Sequence, residues 1–134
     1  MNFFPLAALA VALSGGVALL RRNRRRRSLV ALTDRESFND VQIYAQFYAT
    51  DNLDETDVRV LWNEIADSLR VPASKLRPSD RFGADIGAYF MTSEELDVLG
   101  DLAARRATQR GMKIDIASLA TVDDYVKAFA ARNA

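Results

Sequence analysis

Val58-Arg59-Val60-Leu61-Trp62-Asn63-Glu64-Ile65-Ala66-Asp67-Ser68-Leu69-Arg70-Val71 places Val58, Leu61, Trp62, Ile65 and Leu69 three and four residues apart. That is the spacing of one buried face of an α-helix. It predicts a helix over residues 56–69, stopped by Val71-Pro72, because a residue before proline leaves the helical region. Trp62 is the only tryptophan and is expected to anchor the core. Just upstream, Asp51, Asp54, Glu55 and Asp57 form an acidic cluster. It lacks the glycine and distal glutamate of an EF-hand loop, and acids at a helix start favour the positive end of the dipole. The cluster is read as capping.

Toward the N-terminus, Thr33-Asp34-Arg35-Glu36 matches a capping box, in which the first and fourth side chains satisfy each other's backbone N–H. A helix is expected over residues 33–50, with Phe38, Val41, Tyr44, Ala45 and Tyr48 on its inner face. An aromatic stripe at this spacing is read as core and not as a ligand site.

Toward the C-terminus, residues 73–89 read as a long loop holding Pro78, Gly83 and Gly87, with a short turn over residues 73–76. Asp80 and Asp85 are read as loop acids without an evident partner for catalysis. Thr92 and Glu95 match a second capping box, and Leu96, Leu99, Leu102 and Ala103 form the apolar face of the helix that follows. Its acids come first and its bases last, as the dipole favours, and Gly111 stops it. Residues 112–116 alternate and are read as an extended connector. A last helix starts near Thr121, with Val122, Tyr125, Val126 and Phe129 facing the core. The expected fold is all-α, a small bundle of four or five helices with one long loop.

Residues 3–20 carry no charge. As a helix they would reach roughly 27 Å, close to the hydrocarbon thickness of about 30 Å. Pro5 falls in the first turn, where its missing N–H costs little. Arg21, Arg22, Arg24, Arg25, Arg26 and Arg27 follow directly. The positive-inside rule places that collar, and everything after it, in the cytoplasm, with the N-terminus outside. Each arginine near an anionic headgroup is worth about 1 kcal/mol. A cleaved secretory signal would carry its basic residues before the apolar run, not after it. Arginines beside an apolar span are read as topology and not as a nucleic-acid patch. Gly15-Gly16 does not match a G-x-x-x-G pairing motif. The expected organisation is a single-pass transmembrane anchor at residues 1–20, a basic juxtamembrane collar and linker at 21–32, and a cytoplasmic helical domain at 33–134.

The 134 residues have a formal net charge of zero, but from Ser28 on 12 basic residues stand against all 18 acidic ones, a net of −6. A basic collar joined to an acidic body points to surface partners. The chain has no cysteine and no histidine. That excludes disulfides, zinc sites with thiolate or imidazole ligands, cysteine nucleophiles and histidine-based triads. No metal site is expected, and no constellation of carboxylate, lysine and serine marks an enzyme.

The order of elements resembles that of an acyl carrier protein over residues 57–130. Three stretches carry the resemblance: residues 58–71, ending in Leu69-Arg70-Val71; Asp80-Arg81-Phe82-Gly83-Ala84-Asp85-Ile86-Gly87; and Met112-Lys113-Ile114-Asp115-Ile116 followed by Thr121-Val122-Asp123-Asp124-Tyr125-Val126. The resemblance implies an acidic four-helix domain bearing phosphopantetheine on the serine of an Asp-Ser-Leu motif, at the start of the second carrier helix. This chain departs from the motif. Matching Gly83-Ala84-Asp85 puts Ile86 at the serine's place, and ungapped matching back from Ile114 puts Leu96 there. Ser93 is the only serine at that helix start, and its plain reading is a helix cap.

The expected function is therefore a membrane-anchored, carrier-like domain that binds a partner without catalysis and carries no cofactor. The resemblance implies that Glu94, Glu95, Asp97 and Asp101 form a docking surface for a basic protein partner. Two alternatives stay open: a working acyl or peptidyl carrier with phosphopantetheine on Ser93, and a membrane adapter unrelated to acyl transfer.

Overall fold

In the computed structural model, residues 32–86 and 94–133 are described. They form α1 (Asp40–Phe47), α2 (Glu55–Leu69), a 3-10 turn (Ala73–Lys75), α3 (Glu94–Gln109), a second 3-10 turn (Ile116–Ser118) and α4 (Val122–Phe129). No strand occurs among them, so the described part is all-α. No helix of the described residues is long and apolar enough to cross a membrane. The expected anchor and the arginine collar lie outside the described residues.

The core forms around α2, which packs against α1, α3, α4 and the first 3-10 turn. Val58, Leu61, Trp62, Ile65 and Leu69 are all buried, as their spacing predicts. Trp62 stacks on Phe47, meets Tyr48 edge-on and donates its indole N–H to the carbonyl of Ala73 at 2.8 Å. Asp54 is the N-cap of α2, and Arg70 closes the helix in a left-handed conformation before Val71-Pro72. Of the upstream acids Asp54 works as the capping group, accepting from the N–H of Asp57 at 2.9 Å, while Glu55 pairs with Arg59. Asp57 in turn accepts from the N–H of Ala131 at 2.8 Å, which clips the C-terminal tail to the helix start. Thr121 and Asp124 form the capping box of α4, whose four expected core residues are buried.

The first helix departs from its expected position. It begins at Asp40 and not at Thr33: Leu32 and Thr33 are helical but give way to a turn at Asp34, and the capping box that forms is Asn39 with Gln42. Residues 34–39 run as a turn and an extended strap whose backbone is used elsewhere: the N–H of Phe38 donates to the carbonyl of Ser74 at 2.9 Å. The inner face shifts with the start. Ile43 and Tyr48 are buried and Phe38, Tyr44 and Phe47 pack against the core, whereas Val41 is 60% exposed and Ala45 faces solvent. In α3, Leu99 and Ala103 are buried as expected, Leu96 and Leu102 are half-buried, and Ala107 joins the core. Gly111 follows α3 with φ of +64°, the left-handed geometry that stops a helix.

Candidate partner-binding surface and apolar cleft

The segment from Pro78 to Ile86 lies between α2 and α3 in the sequence, and its first half is pinned to the residues around the start of α4. The N–H of Val122 donates to the carbonyl of Asp80 at 3.0 Å, and the N–H of Phe82 donates to the carbonyl of Ala120 at 2.9 Å. A tight turn follows, in which Arg81's carbonyl accepts from Asp85 and Ile86, and Gly83 adopts φ of +80°. Phe82 and Ile86 are thereby turned toward the core beside α3.

Both acids of this loop have partners that were not evident in the sequence. Asp80 is 2% exposed and receives a two-pronged bond from Arg35, at 2.7 and 2.8 Å. It also accepts from the N–H of Arg77 at 2.8 Å. The hydrogen bond that Arg35 donates to Asp80 outweighs the cost of burial and raises the Arg35 pKa. Asp85 pairs with Arg81 at 3.1 Å. That side-chain bond, joined by Arg81's backbone N–H, holds the Asp85 carboxyl below its ordinary range. The sequence carried no signal for the Arg35–Asp80 pair, since its members lie 45 residues apart.

On α3, Glu94, Asp97 and Asp101 are exposed and Glu95 is half-buried. Among the described residues no salt bridge engages Glu94, Asp97 or Asp101. Their spacing of three and four residues sets them in one stripe along the helix. Val98 lies in the middle of that stripe and is 51% exposed. The sequence reading missed Val98, although its offset from the Leu96–Leu99–Ala103 face marks it as outward.

The far end of the same helix is tied down. Arg106 bonds both oxygens of Glu64 on α2, one at 3.0 Å, and the Tyr125 hydroxyl on α4 donates to Glu64 at 2.8 Å. Burial, followed by the Glu64 carboxylate, pushes the Tyr125 phenol well above its ordinary value. Burial disfavours the Arg106 charge, but Glu64 outweighs it and the pKa is raised. Arg110 donates to the carbonyl of Phe129. The stripe therefore rides on a helix whose C-terminal half is fixed to two neighbours.

Beneath α3 lies an apolar cleft of about 210 Å³, walled by Phe82, Leu96, Leu99, Ala103, Ile116 and Leu119, with Tyr125 also in its lining. Small-molecule sites usually run to about 300–1,000 Å³, so the space suits a short apolar group. The two positions that the carrier resemblance offers for the attachment serine do not fit phosphopantetheine. Ile86 is 1% exposed and Leu96 packs against the core, and neither has a hydroxyl to esterify. Ser93 lies outside the described residues, as does the Thr92 end of the expected capping box. Among the described residues no group of three or more acids is placed to hold a metal ion.

No family model, curated protein or solved structure matches this chain.

Proposed function

We propose that this chain is a membrane-anchored, carrier-like helical domain that acts by docking a basic protein partner on the outer stripe of α3, without catalysis. The observation that carries the reading is the stripe of Glu94, Asp97 and Asp101 around the exposed Val98. Like charges three or four residues apart weaken a helix by about 0.2–0.5 kcal/mol per pair. The stripe keeps two such pairs, Glu94 with Asp97 and Asp97 with Asp101, with no ion pair among the described residues to offset them. An apolar side chain ringed by acids suits a partner that brings an apolar contact inside a basic rim, because rim charges steer encounter and the desolvated centre supplies affinity. The arginine collar, in this reading, holds the domain at a bilayer with anionic headgroups.

One observation favours a second reading. The apolar cleft beneath α3 offers room for a short apolar group close to the helix start, as a carrier with phosphopantetheine on Ser93 would use. Intact mass after incubation of the full-length protein with coenzyme A and a broad-specificity phosphopantetheinyl transferase separates the two. No mass gain is expected. A gain of one phosphopantetheine group, absent in Ser93→Ala, would replace the docking reading with the carrier reading. The docking reading is tested by a photo-crosslinker at position 98 in membranes. Discrete adducts are expected, and they should fade with added salt and in an Asp97→Lys/Asp101→Lys variant. Adducts indifferent to both would remove the acids from the interface.

A further inference from the structure

We propose that residues 32–39 form a strap that holds the domain in one orientation at the bilayer. The inference rests on the membrane-anchor reading and extends it from location to orientation.

The strap begins after the four residues that follow the arginine collar and is bound to the domain at Leu32, Thr33, Arg35, Glu36 and Phe38. Leu32 is 3% exposed and belongs to the core. Arg35 grips the buried Asp80 with two bonds and the carbonyl of Lys75 with a third, at 3.1 Å. Lys75 reaches back to the carbonyl of Thr33 at 3.2 Å and to that of Arg35. Arg77 donates to the carbonyl of Glu36 and lays its guanidinium 4.5 Å from the centre of the Phe38 ring. Phe38 and Ser74 close the strap with a backbone bond. The side chains of Lys75 and Arg77 thus take up the carbonyls of Thr33, Arg35 and Glu36, which a free tether would leave to water.

Only residues 28–31 separate Arg27 from Leu32. Fully extended, those five steps span at most about 18 Å. A compact domain of some hundred residues has a radius of gyration of about 13 Å and is roughly 30 Å across. The link is shorter than the domain is wide, and its far end is fixed in the core. With the collar at the headgroups, the domain cannot present every face to the bilayer in turn. Flexible tethers behave differently: about ten Gly/Ser residues add a root-mean-square reach of roughly 17 Å and let a domain tumble.

The chain's lack of cysteine makes the test direct. Single variants Val41→Cys, Val60→Cys and Val98→Cys put a nitroxide on exposed positions of α1, α2 and α3. The labelled full-length protein is reconstituted into vesicles of phosphatidylcholine and phosphatidylglycerol. Flotation reports anchoring, and relaxation by a nickel chelate carried on lipid headgroups reports nearness to the bilayer. A strapped domain gives relaxation that differs several-fold among the three sites, and the difference collapses when about ten Gly/Ser residues are inserted between Ala31 and Leu32. That insertion leaves the Arg35–Asp80 pair in place, so it does not depend on the survival of a core variant. Protein that floats but shows equal relaxation at the three sites overturns the strap alone. A contrast unchanged by the insertion also overturns it. Protein that fails to float overturns the anchor reading, and the strap with it.

Discussion

The Arg35–Asp80 cluster and the outer stripe of α3 are both made of charged side chains, yet they stand in opposite physical circumstances. Asp80 is enclosed by the strap and the 3-10 turn, with each of its oxygens bonded. Glu94, Asp97 and Asp101 are exposed, with no ion pair among the described residues. Burial makes the first group part of the fold's stability, while exposure leaves the second free to act on something else. Substitutions in the two places should accordingly differ in size and in kind.

The largest effect is expected from Arg35→Ala. It strands a carboxylate that is almost fully enclosed, and removing one partner of a buried pair costs about 3 kcal/mol. Asp80→Ala should cost less, about 2 kcal/mol, because the Arg35 side chain left behind is 28% exposed and keeps the carbonyl of Lys75. Urea denaturation of the two variants measures both values. Equal costs would mean that the pair acts through the geometry of the strap and not through the buried charge.

Tyr125 gives the next effect, one that is specific in its dependence on alkali. Its phenol, buried against Glu64, titrates above its ordinary value near 10. Where the folded pKa is raised, stability is complete below the unfolded value and is lost as pH rises through the window above it. Between those two values the unfolded chain releases a proton that the native protein keeps, at about 1.4 kcal/mol per pH unit. Denaturant midpoints taken from about pH 9 to about pH 11 should fall, and fall less steeply in Tyr125→Phe. An unchanged slope would show that Tyr125 does not govern the alkaline limb.

Two glycines give smaller effects of opposite sign. Gly100 sits inside α3 with nothing within 4 Å of the place a Cβ would take. Gly100→Ala should stabilise by about 0.8 kcal/mol, the difference in helix propensity. Gly83 has φ of +80°, and its Cβ would meet Leu96 only at an ordinary 3.7 Å. Gly83→Ala should therefore cost about 1 kcal/mol through the backbone alone. Thermal unfolding of both variants reads the two signs directly.

The ease with which the sequence yields each region follows from the range of its contacts. The buried face of α2 repeats at three and four residues, and α4 announces itself with Thr121 and Asp124, so local spacing is enough to find both. The start of α1 is not a local matter. Thr33-x-x-Glu36 and Asn39-x-x-Gln42 both match a capping box, and Asn39 prevails. The residues between them are held by Ser74, Lys75 and Arg77, about 40 positions away. Asp80 looked like a free loop acid for the same reason: its partner comes from across the fold. Val98 was legible in principle, since an apolar residue one position off a buried face points outward.

Asp101→Asn should have the smallest effect on stability, and that is what makes it informative. Asp101 is exposed and lies beyond the first turn of α3, so neither burial nor the helix dipole charges it with a structural task. Its carboxylate stands one turn from that of Asp97, and removing it relieves a repulsion of about 0.2–0.5 kcal/mol. The variant should match or slightly exceed the wild type in urea, while its salt-sensitive crosslinking from position 98 declines. A destabilised variant would assign the acid to the fold, and a stable variant with undiminished crosslinking would leave the stripe as solvated surface. Only the expected combination, unchanged stability with weakened docking, distinguishes a surface kept for a partner from one kept for the helix.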